Sequence, residues 1–437
     1  MKKIILSAAC AIIATGAFSQ KITVLEEGAP FGGMMPQCIS PNGMYVGGST
    51  FAGMMFMEAW EKHNYIIVDG SYGSQFENYG SEIRGISNDG IGVGFDDRGA
   101  VMVNLPSNSY ELLQPIDTSK GIYDVLANSI TADGSIVVGS VINSSYSQAP
   151  VYWENGKLNY LPVPTDIDFG FIPDGFSAQQ VTADGSIIMG YAIDNFATYP
   201  MVLWYRQQDG SYECDPVFYK YFEGGAGANE FLRFNGMSMS RNGAYIIMKV
   251  QYNTEDPALK GVNLLAMYTV ADKSLKIIHI DGEHGIEPGT DCTVWFNGIS
   301  DGGTVVGWVT PSETGARYPF IMYADELQPI LLSDAFPEIE ELKVYDESES
   351  HSLSGISTNG RYICGMGMQY YPMYDMYYFV GYVLDTMKED AGVSSIFDED
   401  KRVTGYFGID GLRKNELGKG INIIRYSDGT SRKVIIK

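Results

Sequence analysis

The chain has 437 residues, of which 45% are hydrophobic, and it carries 53 Asp and Glu against 29 Lys and Arg, a net charge of −24. The last segment, residues 401–437, runs the other way, with nine Lys and Arg against three Asp and Glu, so the remaining body is strongly acidic. An acidic body repels polyanions, and we therefore expect no nucleic-acid partner.

The chain begins with the features of a secretory signal. Two lysines precede an apolar run and then small residues up to Ser19, the layout of a cleavable signal peptide. We assign residues 1–19 to this signal, with cleavage near Ser19. No later apolar stretch approaches the ~18 to 20 residues of a membrane-spanning helix, so we expect no transmembrane segment. Four cysteines follow, and the three ways of pairing them stay open: Cys38, Cys214, Cys292 and Cys364.

A hairpin motif recurs seven times after the signal. Each copy reads as an apolar residue, Ser or Thr, any residue, then Asp, Asn or Gly, and finally a glycine. The seven glycines are Gly43, Gly90, Gly134, Gly185, Gly243, Gly303 and Gly360. Their spacing of 44 to 60 residues is typical of a propeller or another repeat array.

Each copy has the chemistry of strand, tight turn and strand. Asn-Gly and Asp-Gly supply the positive φ angles of a hairpin turn, and the hydroxyl group can bond the turn backbone. A second hairpin follows the first six copies, so one period predicts four antiparallel strands. We therefore predict an all-β fold over residues 20–388, a seven-bladed β-propeller of four-stranded antiparallel blades. Aromatics at one repeated position are predicted to pack between neighbouring blades: Trp60, Trp153, Trp204, Tyr268 and Tyr323.

The two ends of the repeat region predict how the ring closes. The seventh copy has a third strand but no fourth, and the segment just behind the signal supplies one that is spare. We predict that Ile22 to Leu25 pairs beside residues 377–384, which removes a free sheet edge.

The long connections are predicted to lie on one face of the propeller, because the turns between strands one and two are all short. Binding loops belong on such a face. Aromatic side chains beside acids there would suit stacking on sugar rings or gripping a peptide, so we predict a carbohydrate or protein ligand. The candidate binding residues are Tyr146, Phe196, Tyr199, Tyr318, Tyr370, Tyr371 and Tyr374. The alternative for these aromatics is that they pack the loops onto the strands.

The sequence contains few patterns typical of catalysis, and we assign no catalytic residue, no metal and no cofactor. The leading function is a non-enzymatic binding protein. The alternative is a glycan hydrolase or lyase with carboxylates drawn from several loops: Asp174, Glu223, Glu283 and Asp346. An acidic loop that could hold a cation contains Glu283, His284, Glu287 and Asp291. The acidic run at 336–350 is interpreted as a hydrated loop.

The C-terminal segment follows a linker at residues 389–400. Its strands and Asp-Gly turns predict a small β-sandwich-like domain over residues 401–437. The stretch GKGINIIRYSDGTSRKVIIK resembles the type A C-terminal sorting domain of the Bacteroidetes type IX secretion system, with matches at Gly420, Ile421, Ile423, Ile424, Lys433, Val434 and Lys437. This resemblance implies secretion machinery as a partner and a secreted or outer-membrane cell-surface location.

The hairpin copies also resemble a known kind of repeat. The segments GISNDGIGVG and GISDGGTVVG are similar to the HAF-type extracellular repeats of secreted bacterial proteins. That resemblance implies no particular reaction.

Overall fold

The computed structural model describes most of the repeat region and the strands of the C-terminal segment. The described residues are 21–25, 34–51, 61–67, 72–77, 82–104, 107, 109–164, 174–193, 201–217, 231–252, 263–278, 292–311, 315–347, 350–372, 375–387, 403–408, 413–414, 420–426 and 431–436. The signal peptide at 1–19 and the linker at 389–400 lie outside these ranges and stay predictions.

Each period of the repeat forms one four-stranded antiparallel unit. Unit 1 contains β2 Met34–Ile39, β3 Tyr45–Phe51, β4 Glu61–Ile67 and β5 Tyr72–Glu77. Unit 2 contains β6 Glu82–Ile86, β7 Ile91–Asp96, β8 Gly99–Asn104 and β9 Ser109–Pro115. Unit 3 contains β10 Asp124–Ile130, β11 Ile136–Ile142, β12 Gln148–Glu154 and β13 Lys157–Tyr160. Unit 4 contains β14 Gly175–Val181, β15 Ile187–Ile193, β16 Met201–Arg206 and β17 Tyr212–Asp215.

The remaining units follow the same order. Unit 5 contains β18 Phe231–Met239, β19 Tyr245–Tyr252, β20 Asn263–Thr269 and β21 Ser274–Ile278. Unit 6 contains β22 Cys292–Ile299, β23 Val305–Pro311, β24 Tyr318–Met322 and β25 Pro329–Leu331. Unit 7 contains β26 Ser352–Ile356, β27 Tyr362–Tyr371 and β28 Met376–Asp385, and its fourth strand is β1 Lys21–Leu25. The predicted all-β class is confirmed.

The first strand of the chain closes the last unit. β1 runs antiparallel to β28, with Ile22 opposite Leu384 and Leu25 opposite Gly381. The predicted pairing of Ile22 to Leu25 with residues 377–384 is therefore confirmed. Because unit 7 borrows its outer strand from the start of the chain, the two ends of the repeat region are held in one sheet.

Neighbouring units meet through their first strands. β2 contacts β6, β6 contacts β10, β10 contacts β14, β18 contacts β22, and β22 contacts β26. Units 4 and 5 are joined by a 2.6 Å hydrogen bond from the Met239 N–H to Gln180 Oε1. β26 contacts β2, so the contacts return to the first unit. Units 3 and 4 are also linked by a parallel pair between Gln148 and Gly175.

The turn between the first two strands has the same chemistry in every unit. The Ser or Thr hydroxyl accepts a hydrogen bond of 2.9 to 3.0 Å from the N–H that opens the second strand. These hydroxyl residues have no exposed surface: Ser40, Ser87, Thr131, Thr182, Ser240, Ser300 and Ser357. The following glycine takes a φ of +71° to +89°, which explains the recurrence of glycine in the motif.

The turns are also joined to one another around the ring, and we call this series of hydrogen bonds the turn belt. Its seven links are Asn42 N–H to Asn88 Oδ1, Asn88 N–H to the Ala132 carbonyl, Ala132 N–H to that of Ala183, Ala183 N–H to that of Arg241, Asn242 N–H to Asp301 Oδ1, Asp301 N–H to the Thr358 carbonyl, and Thr358 N–H to that of Pro41. Pro41 has no N–H, so the link from unit 1 comes from Asn42 instead. The motif is repeated because each copy supplies one link of this belt.

The recurring aromatics pack as predicted wherever they are described. Trp153, Trp204 and Tyr268 are buried, and Tyr323 is partly buried against the cluster between units 6 and 7. Trp60 lies outside the described residues. Residues from adjacent units share these apolar clusters, so the packing supports the order of units around the ring.

The acidic run after unit 6 is helical, and its interpretation as a hydrated loop is wrong. Two helices occur here, α1 Leu332–Ala335 and α2 Glu340–Glu347. Leu342 and Tyr345, three residues apart and so on one helical face, are buried. The three glutamates of α2 are exposed, so the helix has one apolar and one charged face, a pattern that the high density of acidic residues obscured in the sequence.

The C-terminal segment forms one antiparallel sheet in the order β30, β29, β31, β32. Its strands are β29 Val403–Gly408, β30 Arg413–Lys414, β31 Gly420–Tyr426 and β32 Ser431–Ile436. Within the described ranges of the whole chain, no helix has the length and apolar content that a bilayer crossing requires. Three of the four cysteines are free thiols: Cys38, Cys214 and Cys364.

A candidate binding site in the axial cavity

A cavity of about 800 Å³ lies where the first strands of the seven units meet, and we call it the axial cavity. Every unit contributes residues of its first strand to the lining. The volume falls within the range of pockets that hold small ligands. This cavity is the candidate functional site among the described residues.

A β-bulge occurs at the same place in every first strand. In each unit the pairing with the second strand skips the residue six positions before the turn glycine, and in unit 5 it also skips Gly236. The residues at this shared position all line the cavity, and we call them the bulge ring: Gln37, Arg84, Asn128, Gln179, Met237, Asn297 and Ser354. Because a bulge re-aims one side chain out of the alternating pattern, seven equivalent bulges place seven side chains around one axis.

A glycine on the second strand makes room for the bulge in most units. A Cβ atom at Gly139 would lie 1.8 Å from the Leu126 carbonyl oxygen, and one at Gly190 would lie 2.0 Å from that of Ser177. In unit 5 Met248 occupies this position, and the glycine stands on the opposite strand as Gly236. The bulge and its glycine are thus one structural device.

Hydrogen bonds fix part of the bulge ring and leave part of it accessible. Arg84 Nη1 donates to Asn128 Oδ1 at 3.0 Å, and Asn128 Nδ2 donates to the Ala178 carbonyl at 2.9 Å. Asn297 Nδ2 donates to the Leu353 carbonyl at 2.9 Å, and no described residue donates to its amide oxygen, which can accept from a ligand. Gln37 and Asn297 are exposed to the cavity. The ring therefore offers amide groups in fixed positions.

Arg241 closes the cavity at the end where the turns lie. Its guanidinium donates to the carbonyls of Ile130 and Val181 and to Ser129 Oγ, crossing from unit 5 to units 3 and 4. Burial lowers the pKa of this guanidinium to about 10, against the opposing effect of Asp301. Nε is buried with no hydrogen-bond partner among the described residues. The cavity thus has a polar, positively charged floor.

Trp295 stands at the other end of the cavity. It precedes the bulge residue Asn297 by two positions and is 44% exposed. The Trp308 ring stacks against it with centroids 6.3 Å apart, and the Lys249 ammonium lies 5.1 Å from the Trp295 centroid. The Arg317 guanidinium lies 5.6 Å from the Trp308 ring. This arrangement gives the mouth an aromatic surface flanked by cations.

The described part of the lining contains two cations and one carboxylate. Glu82 lies 3.5 Å from Arg84, and both face the cavity. The paired carboxylates of a glycosidase would need a second acid here. Among the alternative candidates, Asp346 lies 2.7 Å from His351 and Asp174 is exposed, and neither is in the lining.

Several residues named for enzymatic or metal chemistry lie outside the described residues: Glu223, Glu283, His284, Glu287 and Asp291. The hydrolase or lyase alternative therefore stays a prediction.

The predicted binding aromatics fall on three different units where they are described. Tyr146 is 85% exposed on the connection between β11 and β12. Tyr370 is exposed on β27 and donates a hydrogen bond to Asp375, while Tyr318 is partly buried against the cluster beneath β24. The described ring contacts join none of these three to another, and none of them lines the axial cavity. Phe196, Tyr199 and Tyr374 lie outside the described residues, as does the side chain of Tyr371.

The bulge ring leaves a signal in the sequence, although the predicted binding residues include none of its members. The residue six positions before the turn glycine is polar in six of the seven copies. A polar position that recurs in a buried strand indicates a shared polar environment. Trp295 carries no such signal because it occurs in one copy.

No family model and no curated protein matches this chain. Among solved structures, TolB from Acinetobacter baumannii aligns with a TM-score of 0.41 and 13% identity over 66% of this chain and 63% of TolB. Hydrazine synthase from Kuenenia stuttgartiensis aligns with a TM-score of 0.44 and 11% identity over 81% of this chain and 98% of that one. A prolyl endopeptidase aligns with a TM-score of 0.47 and 9% identity over 91% of this chain and 55% of that one. The chain thus spans less than two thirds of TolB and of the endopeptidase, and no family follows from these likenesses.

Proposed function

We propose that this chain is an exported, non-enzymatic binding protein that holds a carbohydrate in the axial cavity of a seven-bladed β-propeller. The observation that carries the proposal is the bulge ring, in which amide and hydroxyl side chains from different units face one cavity beside an exposed tryptophan.

The propeller assignment rests on the order of contacts. Each first strand meets the first strand of the next unit, the turn belt returns from Thr358 to Pro41, and β1 completes unit 7. A closed ring of radially arranged four-stranded sheets around a central cavity is the propeller architecture. Seven units are consistent with the seven copies of the motif.

The ligand class follows from the chemistry of the lining. An amide presents both donors and an acceptor, which suits the neighbouring hydroxyl groups of a sugar. Trp295 offers an apolar face for the ring of the sugar. A carbohydrate needs both features, whereas a protein ligand would use the exposed Tyr146 and Tyr370 outside the cavity. We therefore favour the carbohydrate.

The test is a glycan array followed by calorimetry of the strongest ligand. We expect Trp295→Ala to weaken binding by about tenfold or more because the stacking surface is lost. Tyr160→Ala is the matched control, since Tyr160 is 61% exposed on the outermost strand of unit 3. Equal binding by both variants, or no saccharide bound by the parent protein, contradicts the proposal.

We further propose that the C-terminal sheet directs passage to the cell surface. The resemblance to a type A sorting domain and the folding of its strands into one sheet support this role. A variant truncated after Met387 is expected to remain inside the cell envelope in fractionation. Unchanged surface delivery of that variant contradicts the proposal.

A further inference from the structure

The axial cavity holds more positive than negative charge, although the protein as a whole has a net charge of −24. Arg84 and Arg241 line it together with a single described carboxylate, Glu82, and Lys249 lies beside its mouth. The acidic surface disfavours polyanions in general. A preference for an anionic ligand would therefore have to arise from this local group of cations.

The three cations differ in how far the protein already neutralises them. Arg84 pairs with Glu82 at 3.5 Å, and Arg241 is committed to two backbone carbonyls and Ser129. Lys249 is only 9% exposed, and in the described part of the chain it contacts the Trp295 ring and pairs with no carboxylate. Of the three, Lys249 is thus the cation whose charged group has no hydrogen-bond or ion-pair partner at all among the described residues.

Withdrawing an ammonium group from water without a counter-ion costs free energy, and partial burial accordingly lowers the pKa of Lys249. An anion seated beside Trp295 would offset this cost. A neutral ligand would leave it unchanged. The position of Lys249 next to the stacking surface is therefore suited to a sugar that carries its charge close to the ring.

We propose that the saccharide bound in the axial cavity carries an anionic group, a carboxylate or a sulfate, which pairs with Lys249 while the sugar ring lies against Trp295. This inference rests on the proposed carbohydrate binding. It assigns Lys249 as the residue that sets the preference for acidic over neutral sugars.

The test compares ligands that differ in charge but little in shape. Oligogalacturonates and their fully methyl-esterified forms make one pair, and sulfated oligosaccharides and their desulfated forms make the other. Calorimetry on the full chain should show roughly tenfold tighter binding of the charged member of one pair. The pair that shows the preference identifies the anion as carboxylate or sulfate.

Lys249→Met is the decisive variant, because methionine keeps the apolar stem and removes the charge. We expect it to abolish the preference, so that the charged and neutral members of the pair bind this variant equally. Lys157→Met, at an exposed lysine on β13, is the control and should change neither. Equal binding of charged and neutral members by the parent protein, or an unchanged preference in Lys249→Met, overturns the inference.

The outcomes also separate this inference from the proposed function. Neutral saccharides that bind in a Trp295-dependent way without a charge preference overturn the role of Lys249 alone. No binding of any saccharide overturns both. The comparison of charged and neutral ligands on the parent protein needs no variant, so the inference can be tested even where Lys249→Met does not fold.

Discussion

The ring of units has two faces, one at the turns between first and second strands and one opposite, and different kinds of interaction hold the units together at each. At the turn end, the belt consists mainly of backbone N–H groups and carbonyls, and it repeats in every unit. At the opposite end, the connection between units 6 and 7 is fixed by side chains that occur once. His351 Nδ1 lies 2.7 Å from Asp346 Oδ1 in α2, and His351 Nε2 lies 2.5 Å from the Tyr382 hydroxyl in β28.

This difference separates the repeated strands and turns, which we call the frame, from the features that occur once in the chain. Five of the seven links of the turn belt join backbone groups, which carry no ionisable side chain, whereas two end on the side chains of Asn88 and Asp301. Most of the belt therefore does not depend on pH or on side-chain identity. The contacts at the opposite end depend on ionisable groups and on single residues. The bulge ring lies between the two ends and combines them, because its positions repeat and its residues vary.

The largest loss of stability is expected at the glycines of the second strands that make room for the bulges. In Gly139→Ala the new Cβ would meet the Leu126 carbonyl oxygen at 1.8 Å, a clash with backbone that no side-chain movement relieves. We expect the free energy of unfolding to fall by roughly 3 kcal/mol or more. Denaturant unfolding followed by circular dichroism measures it.

Gly156→Ala is the matched control for that variant. Gly156 has a φ of +70° with nothing within 4 Å of a new Cβ, so only the backbone conformation is penalised. A cost of about 1 kcal/mol is expected. Similar losses in the two variants would mean that close approach at the bulge does not matter.

The second prediction concerns the pH dependence of the free energy of unfolding at His351. Burial lowers the pKa of the His351 imidazole, against the opposing effect of the Asp346 carboxylate. The folded protein thus binds this proton less readily than the unfolded chain does. As pH falls below about 6.5, the unfolded state takes up the proton first, and stability should decrease by up to ~1.4 kcal/mol per pH unit.

Unfolding measured between about pH 7.5 and pH 5.5 tests the role of His351. The parent protein should lose stability across this window, whereas His351→Gln should be less stable at the upper end but less dependent on pH. The groups that face the imidazole are Asp346, Tyr345 and Tyr382, and the two tyrosines do not titrate in this range. The same slope in both proteins would show that another group is responsible.

A smaller effect is expected within the turn belt itself. Asn242→Ala removes the bond from Nδ2 to the Asp301 carbonyl and the acceptor for the Ala244 N–H and the Ser240 hydroxyl, and it retains the backbone link from Asn242. We expect a loss of about 1 to 2 kcal/mol. Asp272→Ala removes two local bonds to Ser274 in an outer turn and leaves the bond from Lys273 to Asp215 of unit 4 in place, so about 0.5 kcal/mol is expected there. Equal losses would mean that links between units add nothing.

The frame could be predicted from the sequence because each of its rules is local and repeated. Gly134 and Gly185 mark the same turn, and the seven copies together predict the strands and their closure by Ile22 to Leu25. The site could not be predicted in the same way. Trp295 and Lys249 belong to different units and meet only through the ring, and the charged residues of the acidic run at 336–350 concealed the helix α2.

The smallest effect is expected at the exposed rim, where the sequence placed the binding site. Tyr146 is 85% exposed with a φ of +61°, so Tyr146→Gly should leave stability within about 0.5 kcal/mol or raise it slightly, since glycine tolerates this conformation. Sugar binding in the axial cavity should not change, whereas a protein ligand gripped at the rim should lose affinity. Calorimetry on Tyr146→Gly, with the saccharide whose binding is weakened in Trp295→Ala, therefore decides between the axial cavity and the loop rim. A loss of saccharide binding in Tyr146→Gly would move the site from the cavity to the loops, because the variant alters no residue of the lining.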